Sequence, residues 1–479
     1  MKLLKYIIGG SFLLTMSSCS HDWLNLSPST ETETSTSIQS LDDIEFTLNG
    51  IYSAMQSSNL YSGRLVYYAD ATGDDMQAVS STKRCANYYR FNWTKDSGPS
   101  SQWSELYTVI TSCNVILNNI DELEIFDSEK ERYNDLKGQA LAIRGLAYFD
   151  LVRLYGYPYK KDNGASMGVP LVLEELEYSS KPSRATVGEC YTRIIQDLDD
   201  SSKIIGEEFN KGKFSKWAVL SLLSRAYLYK GDDENALIKA EEAIEGAEAA
   251  GYKLWSNAEY PTAWGNDVSE SNPGEVLFEI VNTTTDSPGS ESMGYLSSKS
   301  GYDDICITTS FYNLLLEDPD DVRLSLLSFD DDEYAYVYKY QPQEGEEIED
   351  ANIPLIRLSE TYLIAAEAAV KRNNNDKAVK YLNAIVSRAN PDNSVEGQTI
   401  TLDMVMKERR KELVCEGHRM YDVIRDGGMV KRVDASNDNL TTTHNTQYME
   451  YDWTFYKIVL PIPKHETDAN KNVFQNPGY

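Results

Sequence analysis

Apolar positions recur at spacings of three and four along most of this chain, the period of an amphipathic helix. Residues 41–55 open on Asp42 and Asp43, which suit the positive end of a helix dipole. Residues 103–120 keep Leu106, Val109, Ile110, Cys113, Ile116, Leu117 and Ile120 on one stripe. Residues 129–155 continue the pattern through Ala140, Ile143, Ala147, Leu151 and Leu154, then stop at Gly156 with Pro158 beyond. A further helix is predicted over 187–205.

Two segments read as hairpins of helices. Residues 216–230 and 235–250 flank a G-D-D-E turn, and small residues at Ala226, Ala236, Ala240 and Ala243 allow close approach. This pattern resembles a tetratricopeptide unit of about 34 residues. A second copy spans 357–389, with N-N-N-D at its turn. A solenoid needs about three repeats or more, so the helices at 41–55, 103–120, 129–155 and 187–205 are the candidates to complete the stack. The expected fold is mostly α, built of tetratricopeptide-like hairpins.

Residues 251–353 break that rhythm. Gly, Pro, Asn, Asp and Ser punctuate short apolar runs such as 276–280. Residues 333–340 alternate, which predicts a strand with Tyr334, Tyr336, Tyr338 and Tyr340 on one face. A loop-rich stretch of this length is usually functional, so a short-strand ligand-binding region is expected here.

The first residues carry Lys2 and Lys5, then a short apolar run over 6–14. A spanning helix needs about 20 apolar residues, so 1–18 reads as an export signal. Ser17-Ser18-Cys19 resembles a bacterial lipobox, in which Cys19 is lipidated; Met16 stands where Leu is usual. Residues 19–40 then form a lipidated cysteine and a tether rich in Ser, Thr and Glu. The body divides into 41–250 and 251–479, with 251–353 as an insertion in the second part.

Charge narrows the partners. With 45 Lys and Arg against 75 Asp and Glu, the 479 residues carry a formal charge of −30. That argues against nucleic acid and anionic membrane faces, and favours neutral or cationic ligands. The 33 Tyr, against 12 Phe and 7 Trp, suggest a surface that stacks on something wet. Beyond Cys19 the cysteines are Cys85, Cys113, Cys190, Cys306 and Cys415, with no C-x-x-C. Buried apolar thiols are expected, and a zinc site is disfavoured.

Catalytic motifs are weak. G-A-S-M-G at 164–168 fits G-x-S-x-G, but a nucleophile elbow needs a strand before the Ser and a helix after it. Here a polar loop precedes and Val169-Pro170 follows. The chain is read as non-enzymatic with no cofactor. Asp330-Asp331-Asp332-Glu333 offers oxygen ligands of the kind Ca²⁺ takes, though a solvated charge run is the plainer reading.

Five motifs in order carry a family resemblance. They are Cys19 with Asp22-Trp23-Leu24; R-G-L-A-Y-F-D-L-V-R-L-Y-G at 144–156 with V-P-L-V at 169–172; I-R-L-S-E-T-Y-L-I-A-A-E-A at 356–368; E-R-R-K-E-L-V-C-E-G-H-R-M-Y-D-V-I-R-D-G at 408–427; and Pro461-Ile462-Pro463 with a terminal Q-N-P-G-Y. Together they resemble the SusD/RagB family of surface lipoproteins that bind nutrients, mostly glycans, for import. Cys415 stands where an aromatic is common and Asp426 where Trp is common. The motif charges Arg144, Arg153, Glu360, Glu367, Arg409, Glu416 and Arg419 lie among apolar helix positions, and interhelix ion pairs are expected of them.

The resemblance implies a glycan-binding outer-membrane lipoprotein that delivers its ligand to a SusC-like TonB-dependent transporter. The alternative is a peptide- or protein-binding member of such a system. A sugar binder needs flat aromatics with polar groups at their edges. By position, Asp74 and Asp75 match the family's acidic loop and Trp93 its first platform. Trp264, Tyr295 and Tyr302 are candidates for the others, with Arg84 and Asn92 at the edges.

Overall fold

A computed structural model describes residues 38–176, 179–265, 269–330 and 334–479. Among them are nine helices of eleven residues or more: α1 (Leu41–Met55), α2 (Ser101–Asn119), α3 (Lys130–Tyr155), α4 (Val187–Ile204), α5 (Lys216–Lys230), α6 (Asp233–Ala249), α7 (Leu358–Lys371), α8 (Asn375–Ala389) and α9 (Leu402–Glu412). Each of α2 to α8 packs on the next, α1 lies against α2 and α3, and α9 closes on α7 and α8. The stack of antiparallel helices expected from the periodicity is therefore present.

Local chemistry sets the helix ends. Ser40 Oγ accepts from Asp43 N at the start of α1 (3.3 Å). Thr186 and Glu189 form a reciprocal capping box on α4. Between α5 and α6 the chain turns on Gly231 (φ 83°), and Asp232 accepts from Asn235 N. The turn is tighter than the four residues expected, because Asp233 and Glu234 enter the first turn of α6 as favourable acids. Asn373 (φ 56°) and Asn374 play the same parts between α7 and α8. Ala226, Ala236, Ala240 and Ala243 are fully buried. Gly246 goes further: a Cβ there would sit 2.0 Å from the Trp217 ring, so only glycine admits the indole.

Among the described residues one four-stranded and three two-stranded antiparallel sheets stand beside the stack, two of the small ones being the short pairs 430–431 with 450–451 and 435–436 with 441–442. In the largest, β1 (Met76–Ala78), β3 (Ile305–Ile307), β5 (Ala335–Val337) and β4 (Leu327–Phe329) lie in the order β1-β3-β5-β4. In the third small one, β2 (Val276–Ile280) pairs with β6 (Ile353–Arg357). The tyrosine-rich strand is shorter than expected. Only residues 335–337 pair, Tyr336 and Tyr340 are buried, and Tyr338 turns outward. One hydrophobic core runs from Ile38 to Val473. A satellite cluster gathers Trp255, Tyr260, Ala263, Trp264, Val276 and Leu326.

Most of the motif charges bind the elements together, as expected, whereas Arg153 pairs with Asp150 within α3. Arg144 on α3 makes two bonds to Asp197 on α4 (2.9 and 2.7 Å). Arg225 on α5 reaches Glu360 on α7 (2.9 Å), and Arg425 reaches Glu367 (2.6 Å). Burial pushes the Glu360 and Glu367 carboxyls up, but Arg225 and Arg425 overcome it and hold both well below the usual range. The terminal Q-N-P-G-Y is a clasp. Asn476 Nδ2 donates to Tyr155 O and Leu460 O (2.9 Å each), and its Oδ1 accepts from Arg184 (2.7 Å).

The structure also places other residues singled out by the sequence. Cys85, Cys113, Cys190, Cys306 and Cys415 are free and buried. Ser166 of the G-x-S-x-G match lies in a loop with its hydroxyl bonded to Asp162. No described helix is long and apolar enough to cross a membrane. Residues 1–37 and 331–333 lie outside the described residues, and with them the export signal, Cys19 and most of the acidic run. Among the described residues no group of three or more His, Cys, Asp or Glu is arranged to hold a metal.

Candidate functional site

Of the eight expected ligand-binding positions within the described residues, the structure brings Arg84, Tyr295 and Tyr302 together at an accessible corner. Tyr295 ends a short helix, Met293–Leu296, capped by Ser292. The following loop folds back so that Tyr302 N donates to Tyr295 O (2.9 Å). Gly301 makes this possible, because a Cβ there would lie 2.0 Å from Tyr295 O. The two rings then stand at 85° with centroids 4.9 Å apart. The Arg84 guanidinium lies 3.8 Å from the centroid of the Tyr302 ring, a cation–π contact.

Neighbouring side chains fix this corner. Arg84 Nε donates to Glu291 Oε1 (2.9 Å), and Arg64 donates to Glu291 Oε2 (3.1 Å). Lys83 Nζ donates to Tyr302 O (2.6 Å), and Tyr302 OH to Ser290 Oγ (3.3 Å). Asp304 sits beneath, its carboxylate sealed from solvent and without a hydrogen bond, 3.8 Å from Arg84. Burial raises its pKa, against the pull of Arg84 and Lys83. Just before Arg84, residues 77–81 border a hollow of about 300 Å³ with Tyr89, Arg90, Tyr334, Thr441 and Asn445. The corner thus brings together two half-buried aromatic rings and a guanidinium fixed by Glu291. It offers apolar faces and edge donors, the two things a sugar ring needs.

The other expected positions lie elsewhere. Trp93 is 3% exposed and packs against Tyr88 and Phe91 (6.1 and 5.4 Å between centroids). Its Nε1–H donates to Tyr479 OH (2.7 Å). It is a core ring with no free face for a ligand. Asp74 and Asp75 are buried under Arg419 and Arg410: Arg419 Nε donates to Asp74 Oδ1 (2.6 Å), and Arg410 Nε to Asp75 Oδ1 (2.5 Å). Burial works against both charges. Arg419 overcomes it at Asp74, which is lowered, while Asp75 beside it is raised. This acidic loop is a fastening to the motif at 408–427. Trp264 is buried in the satellite cluster, with Arg357 and Lys339 at 4.8 and 5.0 Å from its ring. Asn92 is exposed and donates to Asn87 Oδ1 (3.4 Å).

The tyrosine excess also finds a different explanation. Tyr61, Tyr148 and Tyr340 are buried and donate to Asp150, Val172 O and Cys415 O (2.7, 2.7 and 2.5 Å). These rings bring apolar bulk into a core whose polar groups need partners. Glu291, Ser290 and Asp304 were not foreseen. Glu291 lies 207 positions from Arg84, and no local pattern announces a partner at that distance.

Comparison with known proteins agrees with the motifs. A family model described as SusD family matches residues 328–479, and one described as starch-binding associating with outer membrane matches 22–228. A Bacteroides vulgatus protein, described as a candidate sugar-binding protein, is 69% identical with a TM-score of 0.92, covering 93% of this chain and 100% of its own. A SusD superfamily protein of the same species is 36% identical with a TM-score of 0.84, covering 92% and 100%. SusD-like protein P2 of Formosa agariphila is 23% identical over 91% of this chain and 92% of its own length. On motifs, fold and these likenesses alike, the chain belongs to the SusD family.

Proposed function

We propose that this chain is a non-catalytic glycan-binding lipoprotein of the outer membrane, lipidated at Cys19. It captures a neutral oligo- or polysaccharide at the Arg84–Tyr295–Tyr302 corner and delivers it to a SusC-like TonB-dependent transporter. The observation that carries the reading is that corner: two accessible rings held perpendicular by backbone contacts, with a guanidinium locked beside them. The formal charge of −30 disfavours acidic sugars. The sugar-binding description of the relative with 69% identity supports a saccharide ligand. The starch-binding, outer-membrane description of the model over 22–228 supports both ligand class and location.

A glycan microarray carrying neutral and acidic oligosaccharides tests the assignment, with unlabelled peptides as competitors. Binding to neutral glycans that Tyr302→Ala removes is the expected result. Binding that peptides displace and sugars do not would favour the peptide-binding alternative and overturn this one.

A further inference from the structure

We infer that a second saccharide subsite lies across the loop from the Tyr295–Tyr302 corner, in a hollow of about 430 Å³ beside strand β4. The inference rests on the glycan reading above and extends it to an unassigned part of the surface. The volume falls within the roughly 300–1,000 Å³ of small-molecule sites.

Three features of the hollow point to a sugar. Tyr338 lines it and is 39% exposed, whereas Tyr336 and Tyr340 are 1% and 2% exposed. The chain leaves the sheet after Val337, so Tyr338 is presented rather than packed. Glu346 also lines the hollow, and its Oε2 is sealed from bulk water with no hydrogen-bond partner. A buried acceptor left unpaired is destabilising, and a ligand hydroxyl would relieve it. Leu327 and Ser328 of β4, the outer strand of its sheet, line the same space. Lys299, the one cation among the described residues that line the hollow, already donates to Phe329 O (2.9 Å). Glu346 and Glu347 therefore leave the hollow negative, which selects a neutral saccharide over a uronate or sulfated sugar.

The connection to the corner is covalent. The turn after Leu296 carries Tyr302 to the corner and lends Ser297, Ser298 and Ser300 to the hollow. Asp303 N and Gly301 N both donate to Ser298 O (3.1 Å each), which keeps that wall thin and fixed. A glycan long enough to cross it engages both places, and the second contact becomes intramolecular. A short oligosaccharide occupies the corner alone.

The test uses affinity electrophoresis in gels containing starch, laminarin, xylan or galactomannan. Wild type is compared with Tyr302→Ala, Tyr338→Ala, Tyr338→Phe and Glu346→Gln, and short oligosaccharides of the retarding polymer are titrated by calorimetry. Tyr302→Ala abolishes retardation. Tyr338→Ala weakens polymer binding roughly two- to tenfold, Tyr338→Phe restores it, and disaccharide binding does not change. The polymer also protects Tyr338 from hydroxyl-radical oxidation. If Tyr302→Ala loses binding while Tyr338→Ala and Glu346→Gln match wild type, with Tyr338 unprotected, the second subsite is refuted and the corner stands. Retardation of wild type by no polymer overturns the glycan reading and the subsite together.

Discussion

Replacing Trp93 by Ala separates a core role from a ligand role at the position where sequence position alone suggests a sugar platform. The ring is 3% exposed and packs on Tyr88 and Phe91, so truncation opens a cavity. Trp→Ala changes of this kind cost about 3–5 kcal/mol. The lost bond from Nε1 to Tyr479 OH (2.7 Å) accounts for about 1 kcal/mol of that. The Tyr479 hydroxyl is not stranded, because it still donates to Val459 O (2.7 Å). Trp93→Phe keeps a ring and loses the donor, so its cost falls near the lower figure. Urea unfolding of the chain from residue 20 onward, read by circular dichroism, measures both variants at a common slope. Native gels containing the retarding glycan measure binding. The structure requires Trp93→Ala to unfold at lower urea while the folded protein keeps its mobility shift. Wild-type stability with loss of the shift would refute the core assignment.

Other consequences follow from the same contacts. Arg84→Ala, at a half-buried position, lowers glycan affinity by about 1–2 kcal/mol with little change in melting temperature, checked by calorimetry and thermal unfolding. Arg425→Met removes both guanidinium bonds to Glu367 in a site where both side chains are 3% exposed or less, and leaves Lys371 (2.7 Å) as its remaining cation; it costs about 3–5 kcal/mol, read by denaturant unfolding. Burial lifts the Asp70 carboxyl to about 7. A raised carboxyl pKa means that stability falls as pH rises from about 4 towards 7. Asp70→Asn therefore stabilises the protein at about pH 8 by about 2–4 kcal/mol and leaves it unchanged near pH 3.5, in melting temperatures across that range. Burial also lowers His418 to about 3, and Glu360 and Glu367 lie well below the carboxylate range. Their stabilisation is present above the unfolded values and is lost as pH falls, so unfolding midpoints begin to fall below about pH 6.5 with His418 and drop steeply below about pH 4.5 with the two glutamates.

What the sequence disclosed follows from the range of the forces involved. Helix period and capping are local, so α1 is foreseen over 41–55 as observed, and α3 within a residue of its observed start. Hairpin pairing follows from small residues such as Ala240 and from a left-handed turn at Gly231. Strand length was overread at 333–340, because alternating tyrosines there satisfy a buried sheet at Tyr336 and a turn at Tyr338. The candidate positions divide by burial. Aromatic and charged types in loops marked Arg84, Tyr295 and Tyr302, but the same types marked Trp93, Trp264, Asp74 and Asp75, which the fold buries. Burial depends on long-range closure: Trp93 meets a partner 386 positions away, and Asp74 one 345 positions away. No window of sequence carries that information, and Glu291 escaped notice for the same reason.

The central claim is that an aromatic corner built by Tyr295, Tyr302 and Arg84 holds a neutral glycan. Running wild type and Tyr302→Ala side by side through native gels with and without neutral polysaccharide tests it most directly. The account predicts that at least one polysaccharide retards wild type and that Tyr302→Ala runs as in the sugar-free gel. Equal retardation of both proteins would contradict it and move the ligand to another face of the molecule.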